Sequence, residues 1–346
     1  MNTPGPIPSR RTALVTGGGG FLGRRIVEML LAQGWSVRTF SRSRPAGLVD
    51  LGVDCRLGDL RDYEAVRLAC QGIDGVFHTA ANPEPWGDFR SFYETNTRGT
   101  RHVVEACVAN GVPRLVYTST PSVAIGSRDI VGGDESLPYP PRYFAAYPET
   151  KALAERYVLA ADGRFTAGAG CLHTCALRPH LIWGPGDTHL VPGLLEAVRQ
   201  GRLKIVGDGR NQVDLTYVDN AAIAHLQAFE ALGPAGRANG KAYFIGDAQP
   251  VVLWDWINEL LRRLEMPVLK KGISARRAWL AGAGCELVYK VLGLKRRPPM
   301  TRFLAMQLSQ SHWFSHRRAR EDFGYTPVVD NETGLQRLVA ALAPQK

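Results

Sequence analysis

The sequence predicts an α/β fold, a doubly wound parallel sheet followed by a smaller, mainly helical C-terminal domain. Three observations carry that expectation. β–α alternation runs through six apolar, β-branched strands between Thr12 and Pro179. The first strand enters a glycine-rich turn that opens a helix. After Pro179 the rhythm changes, and from Val251 the pattern is mostly helical.

The chain has 346 residues, 45% apolar and 21% charged, ordinary values for a globular protein of one or two domains. Residues 1–10, MNTPGPIPSR, read as a disordered tail without the apolar stretch of a signal peptide. Residues 11–180 read as a nucleotide-binding domain and 181–346 as a substrate domain, with 211–246 returning to the first core. No apolar run reaches the roughly 18 residues a membrane span needs. Six cysteines (Cys55, Cys70, Cys107, Cys171, Cys175, Cys285) form no C-x-x-C pair and lie mostly in apolar segments. They read as buried thiols of a cytoplasmic protein, not as a disulfide frame or a zinc site. The net charge is +10, yet no nucleic-acid-binding motif accompanies it. Part of the excess is local: Lys270 to Arg297 holds eight Lys/Arg and one acid, Glu286, which suits an anionic ligand or a membrane surface.

Thr12–Gly17 is the first buried strand, and Gly17-Gly-Gly-Gly20-Phe21-Leu22-Gly23 leads into a helix from Arg24 to Gln33. Strand, glycine turn and helix in that order form a dinucleotide-binding fingerprint, with the pyrophosphate on the helix N-terminus. The next strand, Trp35–Phe40, ends in Ser41-Arg42-Ser43-Arg44. An NAD site places an acid there for the ribose 2′-hydroxyl, whereas a serine and arginines suit the 2′-phosphate of NADP. Val53–Gly58 is a third strand, followed by Asp59 and Leu60, where an adenine amino group could be held. After a helix from Asp62 to Gln71, the strand Gly75–Ala81 ends in small residues, Ala80 among them, as a backbone close to a cofactor needs. A long helical region, Phe89 to Asn110, contains Asn96, either a surface polar residue or an anchor near the site. Arg114–Thr118 is the fifth strand, with Ser119 and Thr120 at its carboxyl end, and His173–Arg178 the sixth, ending at Pro179.

Between these last two strands lies Tyr147-Pro-Glu-Thr-Lys151. The two outer residues share a helix face one turn apart, and Pro148 fits a first turn. An ammonium beside a phenol lowers the phenol's pKa from about 10 and makes Tyr147 a general acid/base.

Together, Thr16-Gly17-x-x-Gly20-x-x-Gly23, Asp59-Leu60, Asn96, Ser119-Thr120, Tyr147-x-x-x-Lys151 and Arg178-Pro179 resemble the extended short-chain dehydrogenase/reductases of Rossmann fold. His78–Ala81 and Tyr117–Val123 are most similar to the 3β-hydroxysteroid dehydrogenase branch. Leu177–Asp187, Leu253–Asn258, Pro299–Phe303 and Ser311–Phe314 resemble the 2-alkyl-3-oxoalkanoate reductases of bacterial long-chain olefin biosynthesis. The resemblance implies an NADPH-dependent reduction of a long-chain 2-alkyl-3-oxoalkanoic acid at its 3-keto group. Tyr147 would donate the proton, Lys151 would hold the nicotinamide ribose, and Thr120 (or Ser119, one residue earlier) would bond the substrate oxygen. Gly17, Gly20, Phe21, Leu22, Gly23, Ser41, Arg42, Asp59, Leu60, Ala80, Asn96 and Pro179 would line the cofactor. A homodimer and contact with other enzymes of an olefin pathway complete the expectation.

In the second half Trp254, Trp256, Trp279, Trp313 and Phe303 read as core, and Arg276–Leu294 as a core helix with basic ends, a membrane-surface helix being the alternative. His180, His189 and Arg302 are candidates for the cation that a substrate carboxylate would want. The competing readings are a 3β-hydroxysteroid or sterol-4α-carboxylate dehydrogenase and a non-catalytic NADP-sensing module on the same fold.

Overall fold

The computed structural model describes residues 10–168, 170–294 and 296–343, so the expected tail lies outside the described residues except for Arg10. Seven strands form the main sheet: β1 (Thr12–Thr16), β2 (Ser36–Ser41), β3 (Asp54–Leu57), β4 (Gly75–His78), β5 (Arg114–Thr118), β6 (Cys171–Pro179) and β7 (Lys241–Ile245). They lie in the order β3-β2-β1-β4-β5-β6-β7, every neighbour parallel, with a two-residue antiparallel strand Arg164–Phe165 on the start of β6. This is a Rossmann sheet whose order reverses beside β1, the place where such sheets bind ligands.

Alternation along each strand sends side chains to two faces. Ala13 and Val15 of β1 pack with helix α1 (Phe21–Ala32), whereas Leu14 packs on the opposite face. That opposite face is covered by α2 (Tyr63–Ala69), α3 (Gly99–Asn110) and α4 (Ala146–Ala160). A fifth helix, α5 (Val218–Glu230), joins α1 through Ala221, Ala224 and Phe229. Both α5 and β7 come from beyond residue 180, so the chain leaves the sheet after β6 and returns to finish it.

The second lobe packs around Trp183, Trp254, Trp256, Leu260 and Leu261, all buried. Helix Leu253–Arg263 buries a wide apolar stripe centred on Leu253, Ile257 and Leu260, with Trp254 and Trp256 at its two edges. A four-stranded sheet, Val251–Val252, Gln212–Val213, His312–Phe314 and Ile130–Gly133, ties the lobe to the loop before α4. Its strands are two to four residues long, too short for a periodic signal, and the sequence pattern does not show them.

Two expectations are corrected. The region Phe89–Asn110 is not one helix: a turn of α-helix (Phe89–Phe92) passes through a π-helical segment (Tyr93–Arg98) into α3. The segment Ala275–Val291 is helical, yet it buries only Ala278, Gly282 and Glu286. Gly282 explains how it is held. A Cβ there would come within 2.6 Å of the Thr301 carbonyl carbon, so the helix lies directly on the start of helix Arg302–Ser309 and keeps its other faces outward. Of the cysteines, Cys70, Cys107 and Cys175 are buried and the other three half-buried, all six as free thiols.

Candidate active site

The glycine turn sits at the carboxyl end of β1. Gly17 has φ +69°, and a Cβ on it would lie 2.9 Å from the Ala80 Cα, so the ends of β1 and β4 touch backbone to backbone. A Cβ on Gly23 would lie closer still to the Gly17 carbonyl oxygen, which lets α1 abut the turn. The helix opens at Gly20 with no side chain capping it and no acid in its first turn. Phe21, Leu22 and Gly23 therefore present free N–H groups and the positive end of the helix dipole, a cradle that fits a pyrophosphate. The Phe21 side chain also packs toward the second lobe.

At the end of β2, Arg42 is exposed and forms no ion pair among the described residues, while Ser41 spends its hydroxyl on the Ser43 carbonyl, 2.7 Å away. Asp59 is already bound: Arg61 grips it with contacts of 2.9 and 2.7 Å, and these bonds hold its carboxyl below the usual range. Leu60 is buried and fills the space beside Gly99.

The π-helical segment explains Asn96. The wide turn leaves it buried, where its Oδ1 accepts from the Asn82 N–H at 2.7 Å while its Nδ2 donates to the Asn82 carbonyl and to the Thr150 hydroxyl. Asn96 thus clamps the loop after β4 to helix α4, directly beside Tyr147 and Lys151.

Tyr147 stands half-buried in the first turn of α4, with the Thr120 side chain near enough to its phenol to favour the ionised form. Thr120 also accepts from the Ser122 N–H, whereas the Ser119 hydroxyl is buried without a partner. Of the two hydroxyls, Thr120 is the one that acts on the Tyr147 phenol. Burial pushes the Tyr147 phenol up to about 12, and Thr120 draws it only partly back. This corrects the expectation that Lys151 lowers it. The Lys151 ammonium instead donates to the Thr118 carbonyl at 2.5 Å and sits 4.1 Å over the Tyr117 ring. Burial lowers Lys151 to about 7, although Glu155 one turn along opposes the shift.

Beneath these residues lies an ion pair that the motifs did not reveal. Arg178, next to last in strand β6, donates to both Glu155 oxygens at 2.9 and 2.6 Å, with Tyr139 donating to the same carboxylate at 2.6 Å. Both charges are buried. Burial opposes the Arg178 charge, but the Glu155 bonds outweigh it and raise the guanidinium above its usual value. The one sequence signal is Glu155 lying four residues after Lys151 on a helix. A buried His78 is likewise fixed between the Thr16 and Thr100 hydroxyls, at 2.7 and 2.9 Å, and kept neutral by burial and by Lys151, down to about 3.

The three candidate cations for a substrate carboxylate lie in different settings. Burial, with His312 beside it, holds His180 well below its ordinary value, so it is neutral. His189 is exposed at the start of helix Leu190–Arg199. Arg302 is tied to Glu286 at 2.8 Å, its guanidinium between the Phe144 and Trp279 rings. Pro179 is buried at the end of β6, opposite Ile245.

The sequence matches the 3-beta hydroxysteroid dehydrogenase/isomerase family over residues 14–273. The chain belongs to that family. It is an oxidoreductase of the short-chain dehydrogenase/reductase type. A 2-alkyl-3-oxoalkanoate reductase of Stenotrophomonas maltophilia (strain K279a) is 49% identical over 333 residues, spanning 95% of this chain and 99% of that protein. The decarboxylating sterol-4-alpha-carboxylate 3-dehydrogenase of Homo sapiens is 35% identical over 328 residues, 94% of this chain and 86% of that one. Among solved structures, the dTDP-glucose 4,6-dehydratase DesIV of Streptomyces venezuelae with NAD and TYD bound superposes with a TM-score of 0.72 at 24% identity, covering 95% and 96% of the two chains. That likeness shows the fold.

Proposed function

We propose that this family member reduces the 3-keto group of a long-chain 2-alkyl-3-oxoalkanoic acid to the 3-hydroxy acid with NADPH, in the formation of olefin hydrocarbons. The observation that carries the direction of reaction is the Tyr147 phenol, held protonated by burial with Thr120 beside it. A phenol near 12 keeps its proton throughout the neutral range, so the acid is loaded for reduction. The substrate class rests on the Stenotrophomonas relative and on its match along nearly the whole chain.

In this reading Thr120 and Tyr147 hold the ketone oxygen from two sides, which fixes the carbonyl before charge develops on it. When bound there, a dihydronicotinamide would supply the hydride that C3 accepts. Tyr147 gives its phenolic proton to the oxygen, so one ketone, one hydride and one proton yield one alcohol. The Lys151 ammonium, on the same helix face, steadies the phenolate that remains and the ribose hydroxyls beside it. Gly17, Gly23 and the free N–H groups of Phe21 and Leu22 would hold the pyrophosphate, and Arg42 would receive the 2′-phosphate. A two-chain product is poorly soluble, which favours handover to other enzymes of the same pathway and suits a homodimeric enzyme within an assembly.

The deciding measurement is nucleotide oxidation or reduction, followed by nicotinamide absorbance, with a 2-alkyl-3-hydroxyalkanoic acid and, separately, a 3β-hydroxysteroid. Turnover of the hydroxy acid with NADP⁺ supports the proposal. Turnover confined to the steroid overturns the substrate class. For the cofactor, Arg42→Ala is expected to raise the KM for NADPH by about 10–100-fold and leave NADH unchanged, the value of one charge-assisted phosphate contact. An equal effect on both nucleotides would remove Arg42 from that role.

Lys151 predicts a pH profile. Its charge, near 7, is present below that pH and lost above it, so kcat/KM for reduction is expected to fall about tenfold per pH unit on the alkaline side. Lys151→Arg, whose guanidinium does not titrate, is expected to be slower but flat over the same range. An unchanged alkaline fall in that variant would assign the titration to another group.

A further inference from the structure

We infer that helix Ala275–Val291 seats this protein on an anionic lipid surface, its outward apolar face in the headgroup boundary and the catalytic cleft behind it. The placement is unusual for a soluble surface. Leu280, Leu287 and Val291 recur at helical spacing on one stripe, exposed by 54%, 64% and 74%, with Val288 and Leu292 beside them at 50% and 63%. Leu294 continues the patch past the helix end. An apolar surface this continuous marks an interaction site.

Charge identifies the occupant. Arg276, Arg277 and Lys290 on the helix, with Lys270, Lys271, Arg296 and Arg297 in the chain just before and after it, are all exposed and none is in an ion pair among the described residues. The only acid in the segment, Glu286, points inward to Arg302. A second copy of this chain docked by the same face would bring both sets of cations together around a two-fold axis. A surface of anionic headgroups instead complements them, while the leucines and valines enter the boundary beneath. The helix lies on the surface and does not cross it: no helix of the described residues is long and apolar enough to span a membrane.

The same helix lies over the cleft. Tyr289 meets Trp86, in the loop following β4, with ring centroids 6.4 Å apart. Trp279, near its other end, shares Arg302 with Phe144, three residues before Tyr147. A lipid-seated helix would therefore hold the mouth of the catalytic cleft against the acyl layer. This inference stands apart from the proposed substrate, because lipid binding needs no turnover.

The test is vesicle flotation with the full chain. Phosphatidylcholine vesicles carrying about one-third phosphatidylglycerol are compared with pure phosphatidylcholine, at low and high salt. The protein is expected to float with the anionic vesicles and to be released by salt. Leu280→Ser/Leu287→Ser/Val291→Ser and, separately, Arg276→Gln/Arg277→Gln/Lys290→Gln are each expected to lower the partition coefficient at least about tenfold. These side chains are exposed, so both variants should melt as the parent does. Protein that stays out of the floating fraction, or variants that bind as the parent does, overturn the inference. So does a parent that sediments as a dimer while the serine variant is monomeric, since the face would then be a contact between copies.

Discussion

Replacing Tyr147 with phenylalanine is expected to cut kcat for carbonyl reduction by about a thousandfold, within the range of a lost general acid. The substitution removes one oxygen, leaves the ring in place, and keeps Lys151 on the Thr118 carbonyl. Nucleotide affinity, read by fluorescence titration, should therefore change little while turnover collapses. The Thr120 hydroxyl remains to bond the ketone oxygen, so KM should move far less than kcat. A phenylalanine variant that keeps more than about a tenth of the parent turnover would show that the proton comes from elsewhere.

The second large effect is on stability. Glu155→Gln leaves the Arg178 guanidinium buried beside a neutral amide and is expected to cost about 3–5 kcal/mol in urea unfolding. The paired substitution Glu155→Met/Arg178→Met removes both charges and should regain much of that loss, because the desolvation cost disappears with them. The single variant also carries a chemical signature. Glu155 is the group that raises Lys151 against burial, so without it the alkaline fall in rate should move to lower pH. A merely structural pair would change the melting behaviour and leave the pH profile where it was.

Much of the catalytic centre is legible in the sequence because its parts are local. The strand, glycine turn and helix from Thr12 to Ala32 are consecutive, and Tyr147 and Lys151 share one helix face by spacing alone. What escaped depends on residues far apart in the chain. Arg178 finds Glu155 across a strand–helix contact, and Asn96 reaches Thr150 through a π turn that no propensity marks. The direction of the Tyr147 shift is hidden from the sequence for a related reason. Spacing places a lysine near a phenol, but only the fold shows that its ammonium is spent on the Thr118 carbonyl. Helix Ala275–Val291 failed as a core helix because its small residues, Ala278 and Gly282, mark the buried side, and its larger ones face out.

The returning strand has a consequence for how the polypeptide is made. β6 ends at Pro179, but its partner β7 begins only at Lys241, after the whole of helix Leu190–Arg199 and α5. Apart from the two residues held by the Arg164–Phe165 strand, the outer edge of β6 has no neighbour until then. At a synthesis rate of about 5–20 residues per second, the ribosome leaves that edge open for roughly 3–12 s. The bared segment, Cys175-Ala-Leu-Arg-Pro179, is mostly apolar, the kind of edge that recruits foreign strands. Arg178 and Pro179 sit at its end, a charge and a missing donor where a nascent chain most needs a gatekeeper.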